Sequence, residues 1–379
     1  MKGSSTTPQA LPLPDEEALA SSRRLLDRLA GELAANDNWI SFARYMALAL
    51  HEPGLGYYAA GARKFGAGGD FVTAPELSPL FGRTLARQVA QLLQPGEAVL
   101  EFGAGSGVLT EQLVGGLDGP YFIVETSADL RERQRQCLGT RVQWLDRMPQ
   151  RFRGVMLANE VVDAMPVHAV TWRADGIFER GVCANEGQLA WSLRPADAAL
   201  GEAARALPVA APAAGTYDSE IGLHGAAWIR LLARALERGA ILIVDYGFPA
   251  REYYHPQRAT GTLACHYRHR SHGDPFYLPG LQDITAHVDF SALARAAAAE
   301  GLEVLGYASQ AQFLINCGIT DLLEKEDPAD TKRYPPTASA VQKLLAPSEM
   351  GELFKVLALG RGVGSPLLGF SSGNRVHAL

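Results

Sequence analysis

Residues 98–107 read AVLEFGAGSG. Three apolar residues, Ala98, Val99 and Leu100, lead into Glu101, and glycines follow at positions 103, 105 and 107. The segment from Val108 to Leu117 then carries a helical period. Strand, glycine turn and helix, in that order, are how an open α/β sheet brings backbone N–H groups against a nucleotide-like ligand. Glycine is needed there because a Cβ would block the approach of the backbone.

The spacing narrows the ligand. A dinucleotide fingerprint places its third glycine three positions after the second. Counted from Gly105 that position is Val108, and the glycine falls one residue early, at Gly107. No G-x-x-x-x-G-K-[ST] pattern is present, which argues against a phosphate-binding P-loop. The pattern E-x-G-x-G-x-G resembles motif I of the class I S-adenosylmethionine (SAM)-dependent methyltransferases. That resemblance makes Glu101, Gly103, Ala104, Gly105 and Gly107 the expected cofactor loop. A second apolar run, Tyr121 to Val124, ends at Glu125, close to the ~20-residue spacing at which such folds place a ribose-binding acid. The alternative is a helix-start charge. A third strand, Arg141 to Leu145, ends at Asp146, where the resemblance implies an adenine contact.

Composition sets the class. The chain has 379 residues, 47% hydrophobic and 20% charged, a globular balance with ample apolar material for a core. A net charge of −6 argues against a general nucleic-acid binder. No apolar run reaches the ~18 residues of a membrane span. The first 14 residues read as a disordered tail without a targeting signal. Cys137, Cys183, Cys265 and Cys317 have no paired spacing, which fits a reducing compartment and gives no zinc signature. The Ala- and Arg-rich composition reads as bacterial, and the expected location is the cytoplasm.

Patterning divides the chain into a helical N-terminal region with a glycine- and aromatic-rich loop (15–94), a Rossmann-like core (95–166 and 220–379) and an insertion (167–219). Strands and helices alternate from 98 to 160, which predicts a parallel sheet covered on both faces. His168 to Trp172, Ile177 to Cys183 and Gln188 to Leu193 read as an antiparallel excursion, either a lid or the surface of a homodimer. Leu223 to Leu236 reads as a helix and Ala240 to Asp245 as a fifth strand. Residues 249–289 form a long irregular span, and strands near 303–308 and 353–359 complete the sheet.

Several phrases agree beyond the glycine loop: GDFVTAPE (69–76), ANEVVDAMPVH (158–168), IVDYG (243–247), GTLACHYRH (261–269), QDITAHVDF (282–290) and FKVLALGRG (354–362). Together they resemble the MidA-type family of SAM-dependent methyltransferases, over about residues 40–362. The resemblance implies a seven-stranded, mostly parallel class I methyltransferase (Rossmann-like) α/β sheet, with a helical N-terminal addition and inserted β and loop elements. It also implies a protein substrate. Eukaryotic members are mitochondrial and methylate an arginine of a respiratory complex I subunit. The family pattern further points to Asp70 as a residue closing over the amino-acid end of SAM; the alternative is an ordinary acid before the helix at 80–93.

A SAM-dependent transfer needs positioning of a nucleophile rather than a metal. Arginine stays protonated in proteins, and carboxylates can hold it bidentately and leave one nitrogen facing the methyl. Glu160 and Asp163 lie three apart after the fourth strand and share a face if the chain turns helically there. They are the expected guanidinium clamp, with Asn159 shaping the methyl site. The alternative makes Glu160 a solvated strand end and Asp163 a turn cap before Pro166. His266, His269, His272 and His287, with Asp283, lack a metal-binding spacing. They read as channel-lining residues or partners of buried backbone. Tyr57, Tyr58 and Tyr246 read as packing residues, though Tyr246, at a strand end, is placed to face SAM. A small-molecule methyltransferase and a SAM-binding assembly chaperone with little turnover are the competing readings. An NAD enzyme is disfavoured by Val108.

Overall fold

A computed structural model describes residues 11–60, 72–210, 212–364 and 366–379. Asp70 lies outside the described residues, as does most of the tail expected to be disordered. Of the latter, residues 11–14 are described, and the Leu13 carbonyl accepts from Arg268 Nη1 at 3.0 Å.

The central sheet is built from β1 (Ala98–Phe102), β2 (Tyr121–Val124), β3 (Gln143–Leu145), β4 (Phe152–Asn159), β5 (Leu236–Phe248), β6 (Val288–Asp289), β7 (Glu303–Ser309) and β8 (Phe354–Arg361). Its order is β7-β8-β5-β4-β1-β2-β3, with β6 paired to the end of β5. The sheet thus has eight strands where seven were expected. The addition is the two-residue β6, too short to leave a periodic signal. Among the described residues only β8 runs antiparallel to the sheet's other strands.

Alternation along the strands explains the two covered faces. Val99 of β1 and Leu242 and Val244 of β5 pack on one side with α3 (Pro79–Leu92) and α4 (Val108–Val114). Leu100, Ile241 and Ile243 pack on the other, with α6 (Leu223–Ala235) and α7 (Phe290–Ala299). The other labelled helices are α1 (Glu16–Ala34), α2 (Phe42–His51) and α5 (Ala128–Leu138).

The antiparallel excursion is wider than the sequence indicated. His168–Arg173, Gly176–Asn185 and Gln188–Pro195 are joined by Tyr217–Ile221 and by Ile40–Ser41 from the N-terminal region, forming a five-stranded sheet. Within the span read as irregular, Ala264–Tyr267, Arg270–His272 and Asp283–Thr285 form a three-stranded sheet. Tyr57 is buried in the apolar cluster that joins α1 and α2 to these two sheets.

Candidate active site

The strand order reverses between β1 and β4, which pair directly, and ligands of open α/β sheets bind outside such a switch point. A cleft of about 490 Å³ lies there. It brings together the glycine loop, Glu125, the segment after β4, the end of β5 and the Asp283–Thr285 strand.

On the cofactor side, Gly103, Gly105 and Gly107 hold φ of +60°, +55° and +82°, and Gly107 opens α4. A side chain at Gly107 would be strained in this left-handed backbone. Gly103, Ala104 and Gly105 line the cleft. Gln134 on α5 ties the loop to the acid, donating to the Gly105 carbonyl at 2.9 Å and to Glu125 Oε2 at 3.1 Å. Burial pushes the Glu125 carboxyl up, against donors that include Ser127 N–H. Glu101 also reaches the cleft, yet its Oε2 is taken by the hydroxyls of Thr110 (2.5 Å) and Tyr121 (2.7 Å). It therefore anchors β1 to β2 and α4 as well as facing the ligand. Burial raises it to about 7, opposed by those two hydroxyls. Asp146 is not brought to this group. It does not line the cleft: its side chain is 88% exposed and pairs with Arg131 of α5 at 2.7 Å.

On the opposite side, Asn159, Glu160 and Asp163 all line the cleft. Glu160 is not a solvated strand end: its Oε1 accepts from Ala74 N–H at 3.4 Å and from Asn159 Nδ2 at 3.2 Å. Burial, then the neighbouring Asp163, raises Glu160 to about 8. Asp163 Oδ2 accepts from the Tyr246 hydroxyl at 2.5 Å. Burial raises Asp163 to about 6, and that hydroxyl opposes the rise. The turn carrying these acids is capped by Asp245, whose Oδ2 accepts from the N–H groups of Val161, Val162 and Asp163. Each of these two acids thus has one oxygen held by the protein. Asp163 Oδ1 and Asn159 Oδ1 are buried without a hydrogen-bond partner among the described residues.

The remaining wall joins residues read from the sequence as channel-lining, His266, His287 and Asp283, to Tyr58, which was read as packing. The Tyr58 hydroxyl donates to both oxygens of Asp283 at 3.0 Å, and its ring stacks on His51. Tyr58 and Tyr246 both line the cleft rather than serving only as packing. His266 and His287 line it too. Burial, with Arg258 and Lys355 nearby, lowers His287 to about 4, so its ring is neutral. His272 packs against Tyr277, and His269 sits in a turn at φ +60°. Among the described residues no group of three His, Cys, Asp or Glu is arranged to hold a metal, and no helix is long and apolar enough to cross a membrane. Five carboxyl residues line the cleft, Glu101, Glu125, Glu160, Asp163 and Asp283, and no Lys or Arg does so among the described residues.

A switch-point cleft, a glycine turn of left-handed residues and a strand-end acid behind it define the cofactor site of a class I methyltransferase. The residues present fit SAM: the glycine loop leaves room for close approach, Glu125 brings to the cleft a carboxyl of the kind that would accept from ribose hydroxyls, and the acid-lined wall suits a cation. Residues 80–308 match the sequence model of a family described as "Putative S-adenosyl-L-methionine-dependent methyltransferase". The chain belongs to this family, and its cofactor is S-adenosyl-L-methionine. It is 30% identical over 393 residues to "Protein arginine methyltransferase NDUFAF7, mitochondrial" of Danio rerio, covering 89% of this chain and 87% of that protein. The Drosophila melanogaster homologue is 29% identical over 434 residues, covering 97% and 94%. A crystal structure of a Burkholderia thailandensis protein described as a "likely methyl transferase", bound to S-adenosyl-homocysteine, is 49% identical, with a TM-score of 0.93 and coverage of 98% of this chain and 100% of that one.

Proposed function

We propose that this methyltransferase transfers a methyl group to an arginine side chain of a protein, and that Glu160, Asp163 and Asn159 form the acceptor site. The carrying observation is the division of labour between carboxylate oxygens. Glu160 Oε1 and Asp163 Oδ2 are held by the protein. Among the described residues Asp163 Oδ1 and Asn159 Oδ1 are buried without donors, and Glu160 Oε2 has no partner. A guanidinium presents five N–H donors in a planar fork and no acceptor. One oxygen from each acid, plus the Asn159 amide oxygen, matches that fork. The names of the mitochondrial relatives, protein arginine methyltransferases, support the same acceptor, and the family resemblance makes a respiratory complex I subunit the first candidate.

Bound SAM supplies a methyl group activated by its sulfonium. The chain's part is to hold the guanidinium so that one nitrogen faces that methyl in line with the C–S bond. The N–C bond forms as the C–S bond breaks, and the proton lost by the nitrogen passes to a clamp carboxylate. The test is a lysate of cells lacking this protein, incubated with the purified protein and methyl-labelled SAM, followed by hydrolysis of the protein fraction. Labelled methylarginine is the expected product. Label confined to small metabolites would refute the protein-arginine reading.

A further inference from the structure

The end of β5 reads Val244-Asp245-Tyr246, and Val244 is in register with Asn159 of β4. Asp245 is fully buried (0% exposed) and does not line the cleft. Its carboxyl accepts four backbone N–H groups: Val161 (3.2 Å), Val162 (2.9 Å) and Asp163 (3.3 Å) on Oδ2, and Tyr246 (2.9 Å) on Oδ1. No cation is paired with it among the described residues. A buried carboxyl served only by backbone donors acts as the cap of the turn that offers them.

That turn is where the clamp stands. Glu160, immediately before it, has φ +53°, a left-handed conformation that a residue with a Cβ adopts only when its surroundings enforce it. Two contacts from β5 do so. Glu160 N–H donates to the Val244 carbonyl at 2.9 Å, and Asp245 gathers the three amides that follow. The direction of the Glu160 side chain and the placement of Asp163 are both set by the strand that carries Asp245. The next residue, Tyr246, then fixes Asp163 Oδ2.

We propose that Asp245 is a positioning residue for methyl transfer, holding the 160–163 turn so that the free oxygens of Glu160 and Asp163 meet the acceptor. The inference rests on the reading of those two acids as the acceptor clamp. An amide at 245 has one oxygen only, so in Asp245→Asn an NH₂ must confront either the three turn amides or Tyr246 N–H.

The test compares wild type, Asp245→Asn, Glu160→Gln and the double variant. Two quantities are read: methyl label incorporated from SAM into a lysate lacking the protein, and S-adenosylhomocysteine affinity by calorimetry. Asp245→Asn is expected to lower incorporation about 10²-fold, the scale of a small misplacement of reacting groups, with cofactor affinity within about twofold. In the Glu160→Gln background the same substitution should cost much less, because the two act through one element. Near-wild-type incorporation by Asp245→Asn, or an undiminished loss in the Glu160→Gln background, would overturn the proposal. Should Asp245→Asn fail to fold, amide exchange in the wild type decides: slow exchange at Val161, Val162 and Asp163 supports the cap, and exchange at free-amide rates overturns it. Incorporated label on a residue other than arginine would refute the arginine reading alone, since the variant comparison is made on total label.

Discussion

The Tyr246 hydroxyl donates to Asp163 Oδ2 at 2.5 Å, and Asp163 Oδ1 is left buried without a partner among the described residues. One phenol thereby selects which oxygen of the acid is available to an acceptor. Tyr246→Phe removes this donor from a carboxyl that burial already pushes up. A hydrogen bond to a charged group contributes about 1.5–3 kcal/mol, so methyl transfer should fall roughly 10- to 100-fold. S-adenosylhomocysteine affinity, measured by calorimetry, should be unchanged. An unaltered transfer rate would show that the phenol does not set the clamp.

Acceptor binding should depend on pH with a definite sign. Glu160 and Asp163 are raised from their ordinary values to about 8 and about 6, so the folded free protein holds protons that the unfolded chain would have released. Each acid therefore contributes less to stability as pH rises from its ordinary value through its folded value. A bound cation favours the ionised acids. Affinity for ethylguanidine in the presence of S-adenosylhomocysteine should rise from pH 6 to 8, the interval between the two raised values, and level off above it. Calorimetry in two buffers of different ionisation enthalpy should show protons released on binding at pH 6. Affinity that falls over this range would contradict the assignment.

The two acids read as cofactor contacts at the ends of β2 and β3 should behave differently. Glu125 lines the cleft and is tied to the glycine loop through Gln134. Glu125→Gln should weaken S-adenosylhomocysteine binding about tenfold or more, the cost of a charge-assisted hydrogen bond. Asp146, 88% exposed and paired with Arg131, makes a surface ion pair that contributes little. Asp146→Asn should leave the affinity within about twofold. Equal losses in both variants would place adenine against Asp146 after all.

Gly154 offers a test of the fold. It sits in β4 at φ +129°, and a Cβ there would lie 2.0 Å from the Ala98 carbonyl oxygen of β1. Both atoms belong to the central sheet, so neither can yield without breaking a ladder. Gly154→Ala should cost about 3 kcal/mol or more, seen as a lower denaturant midpoint at unchanged m-value. A stability within 0.5 kcal/mol of wild type, the range of an ordinary surface change, would contradict the sheet register.

Features encoded locally were legible in the sequence. The glycine loop, the acid ending β2, the strand-end acids Glu160 and Asp163 and the alternating core strands all follow from period and spacing over short windows. What escaped depends on distant partners. Asp245 stands 82 positions from Asp163, whose amide it accepts, and nothing in IVDYG announces a cap. Tyr58 and Asp283 are 225 positions apart, and their pairing exists only once the N-terminal region and the three-stranded sheet meet at the cleft. Ile40–Ser41, two residues long, is too short to show a β period. Asp146 pairs with Arg131, a contact its own short window does not announce, because a strand-end acid looks alike whether it turns over the cleft or toward a neighbouring arginine.

The central claim is that Glu160 and Asp163 hold the methyl acceptor, and the most direct measurement is methyl incorporation by Glu160→Gln and Asp163→Asn, with cofactor binding measured separately. The predicted result is loss of labelled methylarginine by about 10²-fold or more in each, with S-adenosylhomocysteine affinity preserved. Full transfer by both variants would contradict the account.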